Sequence, residues 1–155
     1  MTTDTTTLNN LLAEHAIHRL VLDAQHALDT REFDDFVQLF TPEGRLYRPT
    51  TPEPLVGRES IRQAYLKNPP NRLNRHLVTN QLVTLVSETE ADSLAYVTLY
   101  SSESGELESE VFGAPVHRSL VGEYHDRCVL TDDGWRLQER RALFVLNQPI
   151  ASQQP

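Results

Sequence analysis

The chemistry available to this chain rests on six histidines, one cysteine and a few acids and bases set beside apolar residues. Histidine is the side chain best suited to taking a proton near neutral pH. His76 lies in the alternating run Arg75 to Val86, on a face with Val78, Asn80, Leu82, Thr84 and Val86. Asp29 follows directly on Leu28 where two helical patterns meet, on the side of Leu22, Gln25 and His26. A carboxylate so placed can hold a base or a ligand, with Gln25 and His26 beside it as binding candidates. The segment Asp29-Thr30-Arg31-Glu32 also fits a capping box, so capping the second helix is a competing role for Asp29. Arg140 shares a strand face with Ala142 and Phe144, which makes it a charge set beside apolar surface. Arg141 then points the other way, and one of the two arginines has Asp126 as a structural partner in reach. Tyr124 can donate a hydrogen bond to a leaving hydroxyl. Tyr47, Tyr65 and Tyr100 are further pocket candidates for which packing is the competing role, and Phe144 is an apolar lining candidate.

Other chemistries have less to work with. His15 and His18 are one helical turn apart, but His26 lies more than ~10 Å further along and no acidic cluster completes a metal site. His117 and His125 share strand parity yet stand about 26 Å apart on a straight strand. No metal or other cofactor is therefore expected. Cys128 falls in a strand, and neither a nucleophile elbow nor a glycine-rich phosphate loop is present. The formal net charge of -8 argues against a nucleic-acid partner, which calls for clustered Lys and Arg. No apolar run approaches the ~20 residues of a membrane span. The opening MTTDTTTLNN lacks the pattern of a secretory signal, and a single cysteine suits a reducing cytoplasm.

The elements that must position these residues are legible in the hydrophobic period. Residues 1–7 are Thr-rich and read as a flexible tail. From Leu8 a helical stripe runs through Leu12, Ile17, Leu20, Val21, Ala24 and Leu28. Thr30-Arg31 breaks it, and Phe33, Phe36, Val37 and Phe40 begin a second helix that Thr41-Pro42-Glu43-Gly44 ends. Arg45 to Arg48 reads as a short strand and Pro49 to Pro54 as a loop. A third helix from Gly57-Arg58-Glu59-Ser60 carries Ile61, Ala64 and Tyr65 and stops at Asn68-Pro69-Pro70-Asn71. The period then changes to two. Strands follow at Arg75 to Val86, Leu94 to Ser101, Val116 to Leu130 (long enough to bend or carry a bulge near Gly122) and Trp135 to Leu146. Glu103 to Phe112 reads as a hairpin loop or flap, and Asp133-Gly134 as a tight turn. This order predicts an α+β fold: a curved, mostly antiparallel sheet with three N-terminal helices filling its concave side, enclosing a small-molecule pocket. A single domain spans residues 8–147, and 148–155 form a polar tail.

The sequence resembles the SnoaL-like, nuclear-transport-factor-2-like group of cone-shaped α+β proteins. The resemblance rests on AIHRLVLDAQHALDTREFDDFVQLFTPEG, Val56-Gly57-Arg58-Glu59-Ser60-Ile61, Asn74-Arg75-His76-Leu77-Val78-Thr79-Asn80, Gly122-Glu123-Tyr124-His125-Asp126 and Asp133-Gly134-Trp135-Arg136-Leu137-Gln138-Glu139-Arg140. Within that group the site positions look like those of scytalone dehydratase, bile-acid 7α-dehydratase and γ-hexachlorocyclohexane dehydrochlorinase. Those enzymes share an Asp at the end of the first helix, matching Asp29, and a His on the first long strand, matching His76. The dehydrochlorinase has an Arg that matches Arg140.

The resemblance implies a cofactor-independent lyase in which His76 takes a proton, Asp29 holds His76 and Arg140 stabilises charge. An isomerase or a polyketide cyclase would use the same proton abstraction. Where the relatives carry Lys or Tyr a turn before the Asp, this chain has Ala24, which keeps a non-catalytic ligand-binding or assembly module as the competing reading. The family also implies a homodimer or homotrimer, with outward residues such as Leu77, Val83 and Leu85 covered by the partner.

Overall fold

The structure, a computed structural model, describes residues 2–103 and 112–148, with side chains from Thr5 onward. Three helices, α1 (Thr2–Asp29), α2 (Phe33–Gln38) and α3 (Arg58–Leu66), accompany six strands. These are β1 (Phe40–Tyr47), β2 (Leu55–Val56), β3 (Leu73–Leu85), β4 (Glu90–Ser102), β5 (Arg118–Thr131) and β6 (Gly134–Gln148). They form one sheet in the order β2-β1-β6-β5-β4-β3. Every pairing is antiparallel except that of β1 with β6, which is parallel. The result is the expected α+β cone: a curved, open sheet with the helices against its inner face.

α1 is longer than its apolar stripe suggested. Residues 2–7 continue the helix, with no Gly or Pro in the segment to interrupt it. Its first turns overhang the core: Leu8, Leu11 and Leu12 are exposed, whereas Ile17, Leu20, Val21, Ala24 and Ala27 are buried. Of these, Ile17, Leu20, Ala24 and Ala27 pack with Phe36, Phe40, Leu46, Ile61, Trp135 and Leu137 into one cluster. Burying a Leu, Ile or Phe side chain is worth about 1.5–3 kcal/mol, so this cluster fixes α1 across the sheet.

The end of α1 determines where Asp29 stands. The Arg31 N–H donates to the Leu28 carbonyl and the Glu32 N–H to the Ala27 carbonyl, the paired bonds of a Schellman stop. Arg31 takes φ of 63°, in the left-handed region where glycine is usual. Its side chain donates to the carbonyls of Asn68 and Pro69 and lies over the Phe33 ring. Asp29 is thus the last residue of the helix. The N-cap of α2 is Glu32, which makes no side-chain cap hydrogen bond, and both Asp29 carboxylate oxygens go to His76, so the capping-box reading of Asp29 is corrected.

Three register shifts interrupt the long strands, one between β3 and β4 and two between β5 and β6, at Val121/Gly122 and Arg127/Cys128. In β3, Thr79 pairs with Tyr96 and Leu82 with Leu94, so Asn80 and Gln81 together oppose Ala95. Asn80 adopts φ of 50°, and the inward set changes parity across this bulge. His76 and Val78 face inward before it; Gln81, Val83 and Leu85 do so after it. Leu82 and Val86 are therefore the exposed residues, while Val83 and Leu85 pack on the core. The expected uninterrupted face from His76 to Val86, and the outward placing of Val83 and Leu85, are corrected. Leu77 does face outward.

A bulge does lie at Gly122, but its extra residue is on β6 and not on β5 as expected: Val121 pairs with Leu146 and Gly122 with Phe144. A Cβ on Gly122 would lie 2.3 Å from the Leu143 carbonyl oxygen. Backbone cannot yield as a side-chain tip can, so Gly122→Ala is expected to destabilise by about 1–3 kcal/mol. A thermal melt reads this as a lowered Tm, and an unchanged Tm would show that the two strands separate there at little cost.

The edge next to β6 also differs from expectation. β1 starts at Phe40 and carries Pro42 within a register irregularity between Phe40 and Arg45, a place where a missing N–H is tolerated. The short β2 was not anticipated. Of the anticipated 103–112 flap, residues 104–111 lie outside the described residues, as does the polar tail from 149.

Candidate active site

One cavity of about 170 Å³ opens between the helices and the inner face of β3 to β6. Its apolar wall comes from Leu28, Phe33, Phe36, Leu99, Leu120 and Phe144, and its polar groups include Gln25, Asp29, His76, Tyr124 and Arg140. Strand alternation selects them. His76 pairs with Leu99, Val97 with Gly122 and Tyr124 with Ala142, and paired residues share a face.

Asp29 and His76 meet in this cavity, 47 positions apart in sequence. Asp29 Oδ1 lies 2.6 Å from His76 Nδ1, and Asp29 Oδ2 accepts the backbone N–H of His76 at 2.8 Å. Both carboxylate oxygens are thus committed to one residue. The side chains are only 11% and 9% exposed, respectively. An ionised Asp29 is acceptor-only, so the short contact makes Nδ1 the protonated nitrogen. Nε2 is left as the basic one, with no protein partner among the described residues. A carboxylate at the last turn of a helix sits at the negative end of the helix dipole, at a cost of about 0.3–1 kcal/mol. The two bonds from His76 offset that cost.

A second polar group lies deeper. Arg140 donates from Nε and Nη2 to the two oxygens of Asp126, at 2.8 and 2.7 Å, and from Nη1 to Gln25 Oε1 at 2.8 Å. With Oε1 accepting, the Gln25 Nε2 end is free to donate to the Tyr124 hydroxyl at 3.0 Å. The Arg140 guanidinium also lies 4.3 Å from the Tyr124 ring centroid. Burial opposes the Arg140 charge, but Asp126 more than offsets it and holds the group above its usual range. Burial raises Tyr124 well above the ordinary phenol range, against the lowering effect of Arg140. Tyr124 therefore stays protonated at neutral pH. Its oxygen already accepts from Gln25, so its proton is available to a pocket ligand.

A sequence model of a SnoaL-like domain matches residues 9–141. The chain belongs to the SnoaL-like family. No curated protein sequence matches it. Among solved structures, a Novosphingobium aromaticivorans protein named provisionally as a scytalone dehydratase is 21% identical, with a TM-score of 0.76 over 96% of this chain and 99% of that one. A type 2 hexachlorocyclohexane dehydrochlorinase is 14% identical, with a TM-score of 0.75 and 94% of both chains covered. A Mycobacterium tuberculosis protein of unknown function is 20% identical, with a TM-score of 0.69 over 92% of this chain and 80% of that one. At these identities the likeness is one of fold.

In this SnoaL-like chain the other sequence candidates divide between the pocket and the surface. Tyr65 and Phe144 line the cavity. His26, Tyr47 and Tyr100 do not, and their expected place in the pocket is corrected. His26 follows inward-facing Gln25 around the helix and is exposed. Tyr47 and Tyr100 follow Leu46 and Leu99, which face the cavity, so alternation turns them away. Tyr47 instead lies under the Arg141 guanidinium, 3.8 Å from its ring centroid. Leu22 is likewise exposed rather than beside Asp29. Sequence reasoning missed Phe33 and Phe36 as lining, and the polar set Arg31, Arg48, Asn68, Arg72 and Asn74. Asn74 was recoverable, since it lies two residues before His76 on the same strand face.

Cys128 is buried, and burial with the nearby Asp126 charge pushes its thiol up to about 12, which disfavours the thiolate a nucleophile needs. Among the described residues no three His, Cys, Asp or Glu side chains cluster as metal ligands. No helix among them is long and apolar enough to cross a membrane.

Proposed function

We propose that this SnoaL-like protein is a dehydratase-type lyase whose residues act without a cofactor on a small cyclic substrate. The observation that carries the reading is the Asp29–His76 contact at the cavity wall. His76 Nε2 takes a proton from a carbon next to an activating carbonyl. The C–H electrons form the new double bond, and the carbon–oxygen bond at the adjacent position breaks. The imidazolium returns its proton to the departing hydroxyl, which leaves as water, so the enzyme ends unchanged. Asp29 fixes the tautomer that makes Nε2 the base and stabilises the imidazolium between the two transfers.

Tyr124 supplies the hydrogen bond that the leaving oxygen needs as negative charge builds on it. This assigns to β5 the assistance for which Ala24 on α1 has no side chain. Arg140 is read as a positioning residue: paired to Asp126, it orients Gln25, and Gln25 orients Tyr124. Isomerisation would begin with the same abstraction and return the proton to carbon.

The test is incubation with a panel of cyclic β-hydroxy ketones, followed by mass spectrometry for loss of one water. Unchanged mass with a moved double bond would replace the lyase by an isomerase, and no reaction across the panel would favour a binder. For a reactive panel member, Tyr124→Phe is expected to lower kcat on the order of tenfold to a hundredfold, with KM little changed. An unchanged kcat would remove Tyr124 from the reaction.

A further inference from the structure

Among the described residues, the charged side chains of the cavity have protein hydrogen-bond partners, with one exception. Asp29 is taken by His76, Arg140 by Asp126 and Arg72 by Glu103. Arg31 spends its donors on the carbonyls of Asn68 and Pro69. Arg48, immediately after β1, lines the same cavity without an ion pair among the described residues, and its Nε is buried with no hydrogen-bond partner. Its guanidinium stands 5.8 Å from the Tyr65 ring centroid, a stacking contact that leaves the in-plane N–H groups unused. The cavity therefore offers an unpaired cation inside a protein whose formal net charge is -8. Asn74, two residues from His76, contributes a buried and unpartnered Oδ1 to the same lining.

We propose that Arg48 is the substrate-anchoring residue, and that the cavity takes a cyclic compound bearing a carboxylate, held by the Arg48 fork while the reacting carbons face His76. A buried donor left unmade is costly, and an arginine fork matches a carboxylate in both geometry and charge. The carboxylate is an anchor and not the activating group, because a carboxylate acidifies a neighbouring C–H far less than a ketone does. Asn74 Oδ1 is then free to accept a ligand hydroxyl. This rests on reading the cavity as the substrate site, though not on the dyad being catalytic.

Calorimetric titration with para-acetylbenzoate and para-acetylbenzamide, alike in shape and unlike in charge, tests the assignment. The unmodified protein is expected to bind the benzoate on the order of tenfold to a hundredfold more tightly. Arg48→Gln is expected to erase that preference and leave the amide's affinity unchanged. Arg48→Lys, which keeps the charge without the fork, is expected to fall between the two. His76→Asn should keep the preference, so failure of the catalytic reading and failure of this one are distinguishable. Equal binding of both probes, binding of neither, or a preference that survives in Arg48→Gln overturns the anchor.

Discussion

Asp29→Asn is expected to lower kcat on the order of 10²–10⁴-fold, about as far as His76→Ala does, with the fold intact. The carboxylate uses both oxygens on one residue: Oδ2 accepts the His76 backbone N–H and Oδ1 faces Nδ1. An amide has a single oxygen. If that oxygen stays with the backbone N–H, the amide N–H₂ faces Nδ1, which must then become an acceptor. The imidazole proton moves to Nε2, the nitrogen that faces the pocket, and the base is lost although the ring has not moved. His76→Ala removes the base altogether. The measurement is single-turnover kinetics on a reactive substrate, with circular dichroism and thermal melts to establish that both variants fold. Full turnover in both would refute the dyad. A loss in His76→Ala alone would reduce Asp29 to a structural ligand of the β3 backbone.

How much of this was legible beforehand depended on whether a feature is local. The helix stop after Asp29, the Asp133-Gly134 turn and the glycine-marked bulge at Gly122 are short-range devices, and the residues that make them stand next to one another. The three helices and four long strands follow from period, for the same reason. The bulge at Asn80 was missed because asparagine in a strand carries no signal as strong as glycine's, yet it reversed the parity of Val83 and Leu85. Pocket placement failed at His26, Tyr47 and Tyr100 because facing depends on a one-residue phase that periodicity alone does not fix. The Asp29–His76 contact spans 47 positions, and no spacing rule reaches that far. It came from family resemblance, as did the role suggested for Arg140. The structure adds what resemblance could not: the Gln25 link between Arg140 and Tyr124, and an Arg48 with no ion pair among the described residues.

Asp126→Ala is expected to cost about 3–5 kcal/mol of stability, because it leaves the Arg140 guanidinium buried without its counter-charge. Both side chains are almost wholly enclosed, at 1% and 2% exposed, so water cannot take the carboxylate's place. Urea unfolding measures the loss as a lowered midpoint at constant m-value. Removing both charges should behave differently. Asp126→Leu with Arg140→Met refills the site with apolar atoms, and such exchanges are often neutral or stabilising. The double variant is therefore expected to regain most of the stability. It cannot regain the order of the site, because Gln25 Oε1 loses the donor that fixes its orientation, and the Gln25 amide is then free to turn away from Tyr124. Stability restored with turnover still low would show that this buried ion pair orients the pocket more than it holds the fold together. Turnover restored along with stability would show the reverse, and would detach Tyr124 from Arg140.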